Sequence, residues 1–522
     1  MSSKSIKTKT PTFIVEIPLV VSSKDVGVLS SRFETGRQLY NACLGEAMRR
    51  LKLVKQSRKY LAAKKLKKGS KARTEAFKVA NQTHKYSEYD LHSFATIVRN
   101  SWIGEHLDST TAQKLATRAF KASQKVALGQ GKKVRFKGKN QLKSLEGKTN
   151  KSGIRWVKET LIWGELKLKP YLTTYDPVIT HGLNSPIKYV RLLRRRLNGK
   201  VFYYAQLVCE GKPFRKPKNQ LGSGTVGLDI GPSTIAIVGD DSARLTRFAP
   251  ELQFAEKEIR QLQRKMERSR RANNPQNYNP DFVNQKGRQK KGTVKKGCQQ
   301  WNNSKTYLQT QTSKANLERE LAAHRKSLHG KLVNEILSLG SVIKLEKLDY
   351  KAFQKLFGKS VGKRAPGEFV SHLKRKAESA GASVIEFSTQ TTKLSQTCHQ
   401  CGRIKKKSLS DRIHQCDCGV FSQRDLYSAF LAKFVDDNLL QVDQAKLAWL
   451  GSEPILLAAW KQATQKETNL RVEGRVPSSF GSFPESERVA TKVLIADAKN
   501  LDVVPFWESQ IEASQHFEPP SL

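Results

Sequence analysis

The chain lacks any apolar run approaching the roughly 20 residues of a bilayer span, and its first residues, MSSKSIKTKTPTF, lack the apolar core of a secretory signal. Neither membrane insertion nor export is expected, and the expected location is the cytoplasm, in association with the nucleoid. Acidic residues are scarce: 46 Asp and Glu stand against 94 Lys and Arg, a formal net charge of +48 over 522 residues. Solubility does not require so large an excess, and its counterpart is a polyanion partner, a nucleic acid above all. Small basic proteins of the ribosomal or histone-like kind share the charge but are poor in patterned core segments, which this chain has. Cysteines are few, seven in all. Cys43, Cys209 and Cys298 are scattered and read as core residues or inert, and four are packed into Cys398–Cys418, which in a reducing compartment points to metal and away from disulfides. No internal repeat is evident.

The shortage of acid is uneven. Residues 438–522 hold eight basic and eleven acidic side chains, so the whole basic excess lies in residues 1–437. The last stretch reads as an acidic tail without an assigned role.

What is present divides the chain into segments of different period. TFIVEIPLV (12–20) has strand composition. Phe33, Tyr40, Leu44, Ala47 and Leu51 then recur at helical spacing, and a helical section is expected from Ser31. A basic run over 52–73 reads as a phosphate-tracking surface, with further helices expected at Asp90–Ser101 and Thr110–Ala127. From Val134 the chain turns β-rich and aromatic, in segments such as TLIWGELKL and KVFYYAQLVCEG, and reads as a small antiparallel barrel or sheet that takes the N-terminal strand as partner. GKPFRKPKNQLGSG (211–224) is a linker, with a domain boundary near Leu221. Residues 268–314 are polar, basic and without apolar periodicity, and read as a mobile loop.

Beyond the linker, TVGLDIGPSTIAIVGDD (225–241) reads as strand, tight turn and strand, with Asp229 set in an otherwise apolar strand. A lone buried carboxylate is costly unless a cation or hydrogen-bond donor meets it. A helix with Leu317, Leu321, Leu328, Leu332 and Ile336 on one face leads into SVIKLEKLDY, which carries Glu346 on a second core strand. After a helix (Glu368–Ala380) and a strand (Ala382–Phe387), FSQRDLYSAFLAKFV opens a helix with Asp425 at its start. Taken singly, Asp229 is a turn-former, Glu346 a strand-end surface residue and Asp425 a helix cap. Taken in order, three carboxylates on two core strands and a helix N-terminus suit a pair of Mg²⁺ ions, because hard divalent cations take oxygen ligands and phosphodiester hydrolysis needs both the attacking and the leaving oxygen clamped. That is the logic of an RNase H-like nuclease.

TCHQCGRIKKKSLSDRIHQCDCGVF presents Cys398-x2-Cys401 and, fourteen residues on, Cys416-x-Cys418. These are the two knuckles of a zinc ribbon holding one structural Zn²⁺. His399 and His414 could substitute as ligands, but four thiolates suffice. Arg403, Lys405, Lys406 and Lys407 place positive charge between the knuckles, where the ribbon could touch phosphates.

GLDIGPSTIAI, IKLEKLDY, TTKLSQTCHQCG, CDCG and QRDLYSAF resemble, in order and spacing, the three RuvC motifs and interposed zinc ribbon of TnpB proteins, transposon-encoded relatives and ancestors of the type V CRISPR effectors. The resemblance is sharp over 221–437 and looser over 1–210. It implies an α+β multidomain chain: a β-barrel wedge-like domain (1–30 and 133–220) with an inserted helical recognition domain (31–132), then an RNase H-like (RuvC) α/β nuclease domain (221–388 and 419–437) with an inserted zinc ribbon (389–418). It also implies a noncoding guide RNA, a double-stranded DNA target beside a short motif, and catalytic Mg²⁺ held by Asp229, Glu346 and Asp425. Two positions depart from the family pattern: the second knuckle is C-x-C where C-x2-C is usual, and Gln423 stands where Asp or Asn commonly precedes Arg-Asp. Three other functions draw on the same features: RNA-guided DNA binding without cleavage, a DNA transposase using the three acids, and a zinc-ribbon structural protein of a ribonucleoprotein. The last leaves the acids on core strands unexplained.

Overall fold

A computed structural model describes residues 10–172, 175–249, 255–297, 299–408, 410–465 and 478–483, and the chain divides into two compact units, Met1–Lys216 and Pro217–Leu522.

The first unit runs β1 (Thr12–Pro18), α1 (Ser23–Gln56), α2 (Arg58–Lys65), α3 (Lys71–Thr83), α4 (Glu88–Arg99), α5 (Ile103–His106), α6 (Ser109–Ala127), β2 (Ser144–Glu146), β3 (Arg155–Val157), β4 (Thr160–Trp163), β5 (Leu166–Leu168), α7 (Pro177–Leu183), β6 (Ile187–Leu197) and β7 (Lys200–Glu210). Phe13, Val15 and Ile17 alternate inward along β1, the period-2 pattern of a half-buried strand. β1 pairs antiparallel with β7, in the order β1-β7-β6-β2. β3, β4 and β5 form a separate three-stranded sheet, joined to β1 by a bridge between Leu19 and Pro170. Hydrogen bonding thus makes two sheets where one barrel or sheet is expected.

The helical section starts eight residues before Ser31. Ser22 and Asp25 form a reciprocal capping box at the start of α1, a local signal that does not depend on apolar spacing. The basic run becomes the end of α1 and the hairpin of α2 and α3, with Lys52, Lys55, Lys64, Lys65, Lys67 and Lys68 exposed.

The second unit runs β8 (Thr225–Ile230), β9 (Thr234–Val238), β10 (Ala243–Arg247), α8 (Ala255–Asn273), β11 (Phe282–Val283), β12 (Gln289–Lys290), α9 (Lys305–Leu339), β13 (Val342–Glu346), α10 (Tyr350–Arg364), α11 (Pro366–Ala380), β14 (Ser383–Phe387), α12 (Thr389–Thr392), β15 (Ile413–Gln415), β16 (Phe421–Gln423), α13 (Arg424–Ala432), β17 (Val435–Asp436), β18 (Leu439–Leu440) and α14 (Val442–Gln465). The central sheet has the order β10-β9-β8-β13-β14, with β8 antiparallel to β9 and parallel to β13. Helices cover both faces. Val226, Leu228, Ile230, Ile235, Ile237, Ile343 and Leu345 pack against α9 and α11, whereas Ala236 and Val238 pack against α13 and α14. Side chains alternate across a strand, so the intervening residues Gly227, Asp229, Lys344 and Glu346 belong to the face that α13 covers.

Three features differ from the sequence reading. On α9 the buried stripe is His329, Val333, Ile336 and Leu337, while Leu317, Leu321, Leu328 and Leu332 are half-buried. Residues 268–314 are not a loop throughout. α8 reaches Asn273 and α9 begins at Lys305, and the connection is held by side-chain amides: Asn274 Nδ2 donates to Asn302 O at 2.8 Å and Asn277 Nδ2 to Gln300 O at 2.6 Å. Apolar periodicity does not register order of that kind. Finally, the described part of residues 438–522 is built into the core. α14 buries Ala445, Trp449, Leu456, Ala459 and Trp460, joined by Phe480 and Phe483. Net charge is blind to an apolar stripe at helical spacing. The remainder of that segment, 466–477 and 484–522, lies outside the described residues.

Gly227 determines how closely α13 approaches β8. A Cβ there would lie 1.9 Å from Ala429 O, so helix backbone rests directly on strand backbone. Gly227→Ala is expected to destabilise the second unit by about 1–3 kcal/mol through overpacking, read as a lower denaturant midpoint. Gly451→Ala, on α14 with nothing within 4 Å of the added methyl, should be neutral or stabilising by up to about 1 kcal/mol. Equal effects at the two positions would contradict this packing.

Candidate active site and metal centre

Asp229, Glu346 and Asp425 come together on the α13 side of the sheet. The first two stand on adjacent strands, near the C-terminal ends of β8 and β13, where Leu228 pairs with Leu345. Asp425 lies in the first turn of α13, which Gly227 lets settle onto β8. Two lysines fix the other end of the helix. Lys433 Nζ donates to Gly239 O at 2.6 Å and meets Asp240 Oδ1 at 2.8 Å, and Lys344 Nζ donates to Val435 O at 2.6 Å.

The site's electrostatics follow from this proximity. Burial, and after it the charges of Asp425 and Glu346, push the Asp229 carboxyl well above the usual carboxylate range. Burial raises Glu346 to about 7. Burial also raises Asp425, against the opposing pull of Arg424 and Arg412. Like charges held together in a poorly solvated place resist joint ionisation, and a divalent cation is what relieves that resistance. All three side chains keep some solvent access. The donor set spreads wider than a single compact ligand cage: among the described residues only the four cysteines form a group of three or more metal-ligating side chains within 4.8 Å of one another.

Two neighbours of Asp425 carry roles that sequence reasoning missed. Gln423 is the N-cap of α13, with its Oε1 accepting from Leu426 N at 2.8 Å while its Nε2 donates to Ser479 O at 3.0 Å. It therefore supplies the cap that Asp or Asn would give and ties the helix to residues 478–483. Arg424 Nη2 lies 3.2 Å from Asp425 Oδ1, and its Nη1 donates to Asp411 O at 2.7 Å in the cysteine-bearing segment. One guanidinium thus links that segment to the third acid.

The four thiols form two close pairs, Cys398 with Cys418 at 3.5 Å and Cys401 with Cys416 at 3.4 Å. Zn–S bonds of about 2.3 Å in a tetrahedron set sulfurs about 3.8 Å apart, so the residues fit a zinc ion with small adjustment, and the C-x-C knuckle does not prevent it. The Cys418 backbone N–H lowers the Cys416 thiol to about 7, whereas burial raises Cys398 to about 12. His399 and His414 are core residues. His399 Nδ1 bonds Tyr427 Oη at 2.8 Å, and the His414 ring lies 3.9 Å from that of Tyr427, centroid to centroid. Both are almost wholly buried, which anchors the ribbon to α13. Of the inter-knuckle cations, Arg403 pairs with Asp417 and Lys407 bonds His414.

Residues 367–431 match the family model described as Cas12f1-like, TNB domain. The match spans most of α11, β14, all four cysteines, Asp425 and the body of α13, and it supports a relationship to proteins of the Cas12 and TnpB type. No curated protein matches the chain. Among solved structures the chain is similar to the Cas12f1–sgRNA–target DNA complex, at 12% identity and a TM-score of 0.39 over 80% of this chain and 98% of that one. It is also similar to a CRISPR–Cas12f ternary complex, at 11% identity and a TM-score of 0.25 over 78% and 82%. Among the described residues, no helix is long and apolar enough to cross a membrane.

Two measurements check the site. Glu346 keeps its proton in the folded state up to about pH 7, whereas an unfolded Glu releases it near 4.3. In metal-free protein this carboxyl therefore costs stability progressively as pH rises through that interval. Glu346→Gln should gain melting temperature relative to the parent between pH 5 and 7.5, and a difference independent of pH would refute the assignment. Purified protein should contain about one zinc per chain, and Cys401→Ser should lose it together with protease resistance over 393–423; full protection without zinc would contradict the ribbon.

Proposed function

We propose that this protein is an RNA-guided DNA endonuclease of the TnpB type, cleaving double-stranded target DNA beside a short motif with a two-Mg²⁺ site on Asp229, Glu346 and Asp425. The observation that carries the proposal is the convergence of two carboxylates on one sheet face with a third in the first turn of the helix above them, which a glycine lets lie close, all three raised in proton affinity. Carboxylates perturbed by burial and by one another in a shared site are candidates for catalytic or metal-binding roles. The charge of +48 supplies the means to hold nucleic acid. The Cas12f1-like match over 367–431 points to the same partners.

Mg²⁺ bound there would offset the charge that builds on a phosphodiester as its bond breaks. The chain's own residues do the rest. β8 and β13 fix Asp229 and Glu346 side by side, Gln423 starts α13 so that Asp425 faces them, and Arg424 neutralises part of Asp425 and orients it. The sequence-based pairing of guide and target would choose the site of cutting, and the protein would grip the backbone.

The test is cleavage of matched plasmid DNA by protein purified with its copurifying RNA. The parent should cut only with Mg²⁺, and Asp229→Ala should lose about 10²- to 10³-fold in rate, the scale of removing one key electrostatic group, while keeping RNA and target binding. Equal cutting by Asp229→Ala would overturn the catalytic assignment, and bound RNA without cutting by the parent would favour guided binding alone.

A further inference from the structure

Between α8 and α9 the chain builds a free-standing two-stranded ribbon on a rigid base. The base is made of aromatic and guanidinium layers. Arg270 lies over Trp301 at 4.5 Å and over Tyr307 at 5.3 Å, and Arg271 lies over Tyr278 at 4.2 Å. Buried Asn274 and Asn277 lock the two sides together, and Gly292 sits where a Cβ would lie 1.8 Å from Asn279 O. On that base β11 and β12 pair Phe282 with Lys290 and Val283 with Gln289. The turn is fixed by Asn284, whose Oδ1 accepts from Lys286 N at 3.1 Å and Arg288 N at 2.9 Å. An isolated hairpin is marginal in water; here the anchored base and locked turn hold it.

Its surface chemistry is specific. Phe282 is 52% and Val283 64% exposed. Lys286, Arg288, Lys290, Lys291, Lys295 and Lys296 are all exposed around them. The one acid in this stretch, Asp281, is occupied by Gly292 N at 2.8 Å. A bare phenylalanine amid six cations, on an element rigid at its root, combines the two devices that hold single-stranded nucleic acid: a ring for base stacking and positive charge along the backbone path.

We infer that the ribbon of residues 281–296 is a docking element for single-stranded nucleic acid, with Phe282 stacking on a base and the surrounding lysines and Arg288 tracking phosphates. The inference rests on the reading of the chain as a nuclease that opens duplex DNA, which exposes single strands. Base stacking on an aromatic ring contributes about 1–3 kcal/mol, which converts to roughly 5- to 150-fold in affinity.

The experiment uses the full-length protein with its RNA and a fluorescein-labelled 20-nucleotide single strand unrelated to the guide, measured by anisotropy across a salt series, with a duplex of the same sequence as comparison. Phe282→Ala should weaken single-strand binding at least about 5-fold with the salt slope unchanged, and Lys290→Ala/Lys291→Ala should lower the salt slope. Binding is read without added Mg²⁺, which the catalytic reading requires and this one does not, so failure of the catalytic reading and failure of this one are separable. Since Phe282 is exposed, its replacement leaves folding intact, which an unchanged melting temperature verifies. Parental affinity in Phe282→Ala would overturn the stacking role, an unchanged slope in the double lysine variant would overturn the phosphate role, and an equal loss on duplex would replace the single strand with duplex as ligand.

Discussion

The second unit is organised around three acids that would rather be apart. Asp229, Glu346 and Asp425 raise one another's proton affinity or are raised by burial, and gathering such groups is costly unless a cation or hydrogen-bond donors meet them. Much of the surrounding construction serves that gathering. The strand pair β8 and β13 supplies two of the acids on one face, and at 227 a glycine leaves no Cβ to hold α13 away. Lys344 bonds the Val435 carbonyl just past the helix end, and Lys433, at that end, bonds the Gly239 carbonyl just beyond β9, so both fix its position without competing for the acids.

The ribbon and the C-terminal helix are parts of the same support. His399, His414, Tyr427, Phe430 and Trp449 pack ring against ring, which binds the cysteine-bearing segment, α13 and α14 into one core. Arg424 adds a polar link from Asp411 O to Asp425. Zinc, on this arrangement, is distant from the chemistry in kind but not in mechanical consequence: the segment it would stiffen ends at the helix that carries the third acid.

The legible parts of the sequence were those where local pattern and fold agree. An acid in an apolar strand, as at Asp229, and four cysteines in two knuckles are readable because each is costly without a partner. Between residues 225 and 432, β8, β9, β13, β14, α11, α13 and the later part of α9 follow from alternation and helical spacing, whereas α8, which buries no residue, and α10 leave no such pattern to read. What escaped reading depended on contacts distant in sequence or on polar order. Gly227 matters only because Ala429 lies against it, Gln423 looked like a departure until its cap was visible, and the base of the 274–302 connection is held by asparagine amides that leave no apolar trace. Charge counting misread 438–465, since Trp449 and Trp460 lie in a stretch whose net charge says nothing about its buried face.

The central claim is that the three carboxylates form one divalent-ion site. Mn²⁺, a spectroscopic substitute for Mg²⁺, tests it directly by electron paramagnetic resonance on the zinc-loaded protein. The account predicts two Mn²⁺ bound per chain with spin coupling between them, and loss of both signals in Asp229→Asn/Glu346→Gln. Absence of Mn²⁺ binding at millimolar concentration, or binding that the double substitution leaves unchanged, would contradict it.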